Sequence, residues 1–149
     1  MRLSPHFTLA ELCRSQTATR HGIDNTPNNT QIAALRLLAR EVLEPVRMHF
    51  GIPFTPSSGF RCQELNRLIK SKDTSQHTKG QAADIEVPGV PNHVLASWIY
   101  RNCDFDQLIL EYHNPNDPSS GWVHVSVTPE ADRRQALIYD GNKYTEFKG

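Results

Sequence analysis

Trp122-Val123-His124-Val125-Ser126-Val127 reads as a strand with two unlike faces: the three valines fall on one side, and Trp122, His124 and Ser126 on the other. A period of two sends alternate side chains to opposite faces of a sheet. Ala82-Ala83-Asp84-Ile85-Glu86-Val87 repeats the pattern, with Ala83, Ile85 and Val87 opposite Ala82, Asp84 and Glu86. In Phe105-Asp106-Gln107-Leu108-Ile109-Leu110-Glu111, Leu108 and Leu110 oppose Gln107, Ile109 and Glu111. Each segment thus has one apolar face for a helical layer and one face carrying a residue able to bind a metal or move a proton.

Outward from these strands the signals are helical. Thr8-Leu9-Ala10-Glu11 matches a capping box, and Phe7 is placed to staple onto Leu12. Residues 20–29 are rich in Asn, Asp, Gly and Thr and predict a loop. A longer helix is expected from Thr30, with Ile32, Leu35, Ala39, Val42 and Val46 at helical spacing. Pro45 should kink or locally break it, and Gly51 and Pro53 should end it. A modest helix is expected over 63–70, a polar turn over 72–79, and a third sizeable helix over 91–102 that buries Val94, Leu95, Trp98 and Ile99. Asp140-Gly141 predicts a final turn or terminal hairpin. The architecture is therefore α+β: helices on one face of a mainly antiparallel sheet, in a single domain over residues 1–149.

The composition narrows the function. Of 149 residues, 38% are apolar and 21% charged, the balance of one globular domain. Sixteen basic residues offset sixteen acidic ones with no basic run, which argues against a nucleic-acid partner. No apolar run approaches the roughly 20 residues that span a bilayer, so no membrane insertion is expected. The first residues lack the apolar core of a secretory signal, which leads to the expectation of a protein made in the cytoplasm that reaches an outside target by another route. Cys13, Cys62 and Cys103 lie far apart and are expected to be reduced, partly buried thiols.

Ser75-Gln76-His77-Thr78-Lys79-Gly80-Gln81-Ala82-Ala83-Asp84 separates a His from an Asp by a glycine-bearing turn and small residues. A catalytic zinc site takes three protein ligands that mix His with a carboxylate. A second His must come from elsewhere in the chain; His124 sits on a strand face opposite three valines, but a lone strand His is more often a satisfied polar residue. Together, Ser75-x-His77-x-x-Gly80-x-Ala82-x-Asp84 and the downstream Trp122-Val123-His124 resemble the M15 zinc peptidases. That family includes D-Ala-D-Ala carboxypeptidases, related dipeptidases and phage peptidoglycan endopeptidases, and the hedgehog signalling domain shares its fold. Ser58-Gly59-Phe60-Arg61, with Asn66 behind it, is similar to the family's segment before the first ligand, and Phe105-Asp106-Gln107-Leu108-Ile109 with Glu111 is similar to its short single-domain branch.

The resemblance implies that His77, Asp84 and His124 bind Zn2+, which polarises a scissile carbonyl and activates water. It implies that Arg61 stabilises the oxyanion or holds a substrate carboxylate; a structural ion pair is the other reading of this arginine. Ser75 either orients substrate or hydrogen-bonds the turn. Many family members carry the catalytic Glu three residues before the last His, where this chain has Gly121. Glu111 is the expected substitute, ahead of Glu86, Asp117 and His113. The implied activity is hydrolysis of peptidoglycan peptide by a monomer, with carboxypeptidase action on D-Ala-D-Ala and endopeptidase action on L-Ala-D-Glu or a cross-link both open. The lack of a secretory signal favours a phage lysin or virion component over a host remodelling enzyme. The competing class is a zinc-stabilised binding module that recognises wall peptide or a protein without turnover.

Overall fold

The computed structural model describes every residue except Ala131. The chain opens with a small antiparallel ribbon, β1 (Arg2–Ser4) and β2 (Phe7–Thr8), that leads into α1 (Leu9–Cys13). The expected capping box is formed: the Glu11 amide donates to Thr8 Oγ1 at 3.3 Å and the Thr8 amide to Glu11 Oε1 at 3.2 Å. Phe7 and Leu12 are both fully buried.

A short helix, α2 (Gln16–Arg20), precedes the predicted loop, which closes at a second capping box made by Asn28 and Gln31. That box starts α3 (Asn29–Leu38) one residue before Thr30. The break expected at Pro45 takes the form of a π-helical turn, Ala39–Leu43, after which α4 (Glu44–Phe50) continues to Gly51. A wider turn just before a proline absorbs the ring that an α-helical register would crowd. Gly51, at φ 68°, ends α4 in the left-handed conformation.

After α5 (Gln63–Leu68) and a 3₁₀ turn, Gln76–Lys79, come β3 (Ala82–Ile85), α6 (Asn92–Asn102), β4 (Gln107–Glu111) and β5 (Trp122–Ser126). The hairpin β6 (Gln135–Tyr139) and β7 (Tyr144–Glu146) turns at Asp140, whose carboxylate accepts from the Asn142 and Lys143 amides. The five strands β3 to β7 make one sheet in the order β3-β5-β4-β6-β7. Three of its four pairings are antiparallel, as expected; β4 with β6 is parallel.

Helices cover the predicted apolar face. Leu35, Leu38, Val42, Leu43 and Val46 from the long helix, with Leu95, Ala96 and Ile99 from α6, pack on Ala83, Ile85, Leu108, Leu110, Val123 and Val125. Val94 is a correction: it is 41% exposed, and Ala96 takes the buried place one turn of the face requires. Cys13 and Cys103 are free thiols, pushed up by burial to about 11 and about 12, so neither is a ready thiolate. Among the described residues no helix is long and apolar enough to cross a membrane.

Candidate metal centre

The uncovered face of the sheet is a grid of side chains in cross-strand rows. One row runs Asp84, His124, Ile109, Leu137 from β3 to β6. The adjacent row runs Trp122, Glu111, Tyr139. Pairing Asp84 directly with His124 follows from the alternation of the two strands and a register that sets Ile85 against Val123 behind them.

His77 comes from outside the sheet, on the 3₁₀ turn. Ser75 shapes that turn, its hydroxyl accepting from the His77 amide at 3.3 Å and its carbonyl from the Thr78 hydroxyl at 2.6 Å. Gly80 ends the turn at φ 71°, where an added Cβ would sit 2.5 Å from the Gln31 carbonyl oxygen, so the α3 terminus and this turn meet only because position 80 has no side chain. His77 is buried, and its Nδ1 lies 2.7 Å from the Gly59 carbonyl oxygen. A carbonyl only accepts, so Nδ1 carries the proton and the Nε2 lone pair faces Asp84.

His77 Nε2 lies 3.4 Å and His124 Nδ1 3.1 Å from the same atom, Asp84 Oδ1. All three donors fall within 4.8 Å of one another. Two imidazoles and one carboxylate form the donor set of a catalytic zinc site, and metal–ligand bonds of about 2.1 Å at tetrahedral angles put donors roughly 3.4 Å apart. The residues present therefore fit the ion. Their electrostatics agree. Burial would raise the Asp84 carboxyl, but its close contacts with His124 and His77 outweigh it and hold the group well below the usual carboxylate range. Burial pushes His77 down, toward the neutral imidazole that a metal requires.

The triad lies in an open cleft of about 1000 Å³ whose lining includes Arg61, Ser75 and Glu111. Arg61 is half-buried and held by neutral oxygens: Nε donates to Asn66 Oδ1 at 3.2 Å, Nη1 to Ser58 Oγ at 3.1 Å and Nη2 to Ser75 Oγ at 3.5 Å. Asn66 is fully buried and anchored by its own bond to the Lys72 carbonyl at 2.8 Å. Those contacts aim the guanidinium without neutralising it. Ser75 spends its hydroxyl on this network and on the turn.

Glu111 is two residues along its strand from Ile109, the partner of His124, which makes it a diagonal neighbour of that ligand. Burial pushes its carboxyl up, against the opposing pull of His124. Gly121 stands immediately before Trp122, the partner of Glu111. Its φ is 65°, and a Cβ there would run into the Glu111 carbonyl oxygen and the Tyr112 carbonyl. No acid fits at position 121, because the backbone that brings Glu111 to the cleft occupies the space. The other acids are elsewhere: exposed Glu86 accepts from Asn92, and Asp117 caps its own loop through Ser119. His113 faces His93 at 6.3 Å between ring centroids and does not line the cleft.

Around the cleft are further groups to which the sequence assigns no role of their own. Asp106 accepts from Arg133 Nη2 at 2.8 Å and from Gln76 Nε2 at 3.0 Å, tying the start of β6 to the turn that carries His77. Tyr112, Tyr139 and Tyr144 line the far end of the cleft. The Gly59 carbonyl that orients His77 is backbone, and residue identity carries no sign of it.

Among curated proteins none matches this chain. A family model described as Peptidase M15 matches residues 5–126, from the β1–β2 ribbon to the last residue of β5 and across every member of the triad. A match over that span, with the His, Asp and His of the motif converging on one point, makes this chain a member of the peptidase M15 family.

Proposed function

We propose that this peptidase is zinc-dependent and hydrolyses peptide bonds of bacterial peptidoglycan, by D-Ala-D-Ala carboxypeptidase or endopeptidase action. The observation that carries the reading is the convergence of His77, Asp84 and His124 in an open cleft beside Arg61 and Glu111. When bound, zinc supplies Lewis-acid polarisation of a carbonyl and lowers the pKa of water to near 7.

The remaining work falls to this chain's own side chains. The Arg61 fork, fixed by Ser58, Asn66 and Ser75, offers paired donors to a developing oxyanion or to a substrate carboxylate. Glu111, with its carboxyl raised by burial, accepts a proton from water and returns it to the leaving amine. All of these groups come from one chain, so a monomer suffices.

Digestion of purified sacculi, with products identified by mass spectrometry, tests the proposal and names the bond. Hydrolysis that a chelator stops and added zinc restores is the expected result. Zinc retained with no peptide released would instead leave a zinc-stabilised binding module.

A further inference from the structure

The row that contains Glu111 continues away from the metal triad as a strip of aromatic rings. Trp122, Glu111, Tyr139 and Tyr144 are successive partners across β5, β4, β6 and β7, and Tyr112 follows Glu111 in the chain. Ring centroids are 5.2 Å apart for Tyr112 and Trp122, 5.1 Å for Tyr112 and Tyr139, and 4.5 Å for Tyr139 and Tyr144. Two strand spacings carry the strip about 10 Å beyond Glu111. All four rings line the cleft that holds the triad. Tyr112 and Tyr144 nonetheless stay 49% and 56% exposed.

Tyr112 has φ 52°, a left-handed conformation that strains a bulky residue. The strain is borne where it turns the ring back between Trp122 and Tyr139. Tyr139 and Tyr144 lie beyond residue 126, outside the span matched by the family model.

The geometry selects among ligands. Rings packed this closely leave no gap between them, which excludes a cage around a quaternary ammonium. An aliphatic side chain is best held in an enclosed apolar pocket, and this strip is open. A pyranose suits it: Tyr139 and Tyr144 stack on each other at 27° and Tyr112 stands at 80° to Tyr139, so the C–H face of a sugar meets the exposed parts of the Tyr144 and Tyr112 rings while its hydroxyls stay in water.

We propose that the strip formed by Trp122, Tyr112, Tyr139 and Tyr144 is a saccharide subsite that holds the glycan strand while an attached peptide reaches the metal centre. The choice of glycan rests on the peptidoglycan reading given above. The test is binding of a peptide-free β-1,4-linked N-acetylglucosamine tetramer, followed by tryptophan fluorescence and by NMR of the aromatic side chains, on the full chain.

The tetramer is expected to shift the Trp122 and tyrosine signals of the wild type. Tyr144→Ala, on an exposed edge strand, is expected to weaken binding about tenfold, and Tyr144→Phe to weaken it less because the stacking face remains. No binding to the wild type would overturn the proposal, as would equal affinity in Tyr144→Ala. Ring signals that move only with a sugar-free wall peptide would assign the strip to a peptide side chain instead. Binding is read without turnover, so the two readings fail separately. Sacculi cut by a protein that ignores the tetramer remove the subsite alone, and tetramer bound by a protein that cuts nothing removes the peptidase alone.

Discussion

At single-residue scale, Gly121 and Glu111 are bound together by contact. The missing acid at position 121 is a steric consequence of the backbone carrying Glu111, since the two segments touch where a Cβ would stand. Glu111→Gln is nearly isosteric and should keep fold and zinc while lowering turnover by roughly 10²–10⁴, the worth of general acid–base catalysis. Paired metal analysis and sacculus digestion check it, and undiminished digestion would clear Glu111 of the role. Arg61→Lys keeps the charge but loses the fork that Ser58, Asn66 and Ser75 aim. A fall in turnover of about 10²-fold with zinc retained is expected, the effect of losing one oxyanion donor; near-normal turnover would reduce Arg61 to a structural role. At this scale the sequence motif marked His77, Asp84 and His124, whose donor atoms the fold brings within 4.8 Å of one another. It was silent on the Gly59 carbonyl, because any residue has one.

At the scale of elements, Asp106 joins the entry of β6 to the His77 turn. Its carboxyl is held below its ordinary value of 3.8, first by hydrogen bonding from Arg133, with the Arg133 amide and Gln76 adding to the effect against burial. A carboxyl lowered on folding contributes stability above its unfolded pKa, and that contribution is lost as pH falls through the lowered folded value. Asp106→Asn should therefore cost about 1–2 kcal/mol at neutral pH, with Arg133 partly exposed to solvent. The gap from wild type should narrow as pH drops below about 4. Denaturant unfolding at neutral and acid pH measures both values, and a gap that holds constant with pH would detach the effect from this carboxylate. Strands β3, β4 and β5 were legible because each alternates cleanly. Strand β6 was legible only through the terminal hairpin expected at Asp140-Gly141, since Ala136-Leu137-Ile138 is an unbroken apolar run. Its parallel pairing with β4 depends on the path of the connection, to which local pattern is blind. The π-helical turn was legible only as a break at Pro45.

Across the whole molecule, one layer of helices and one sheet divide the labour. The packed face builds the core from Leu35, Leu38, Leu95, Ile99 and the strand valines and leucines, and the open face is left to chemistry. That division was readable from three short segments, because the alternation that buries Val123 and Val125 is the one that presents His124. The convergence of His77 on the pair was not readable from alternation, since the turn reaches the sheet through Gly80 and Gln31; there the motif's resemblance to a family stood in for geometry. The most direct test of the central claim is the metal content of purified wild type and of His124→Ala, by elemental analysis. About one zinc per chain in the wild type and little in the variant is the expected result, because removing a ligand opens a three-donor site. Full zinc occupancy in His124→Ala would contradict it.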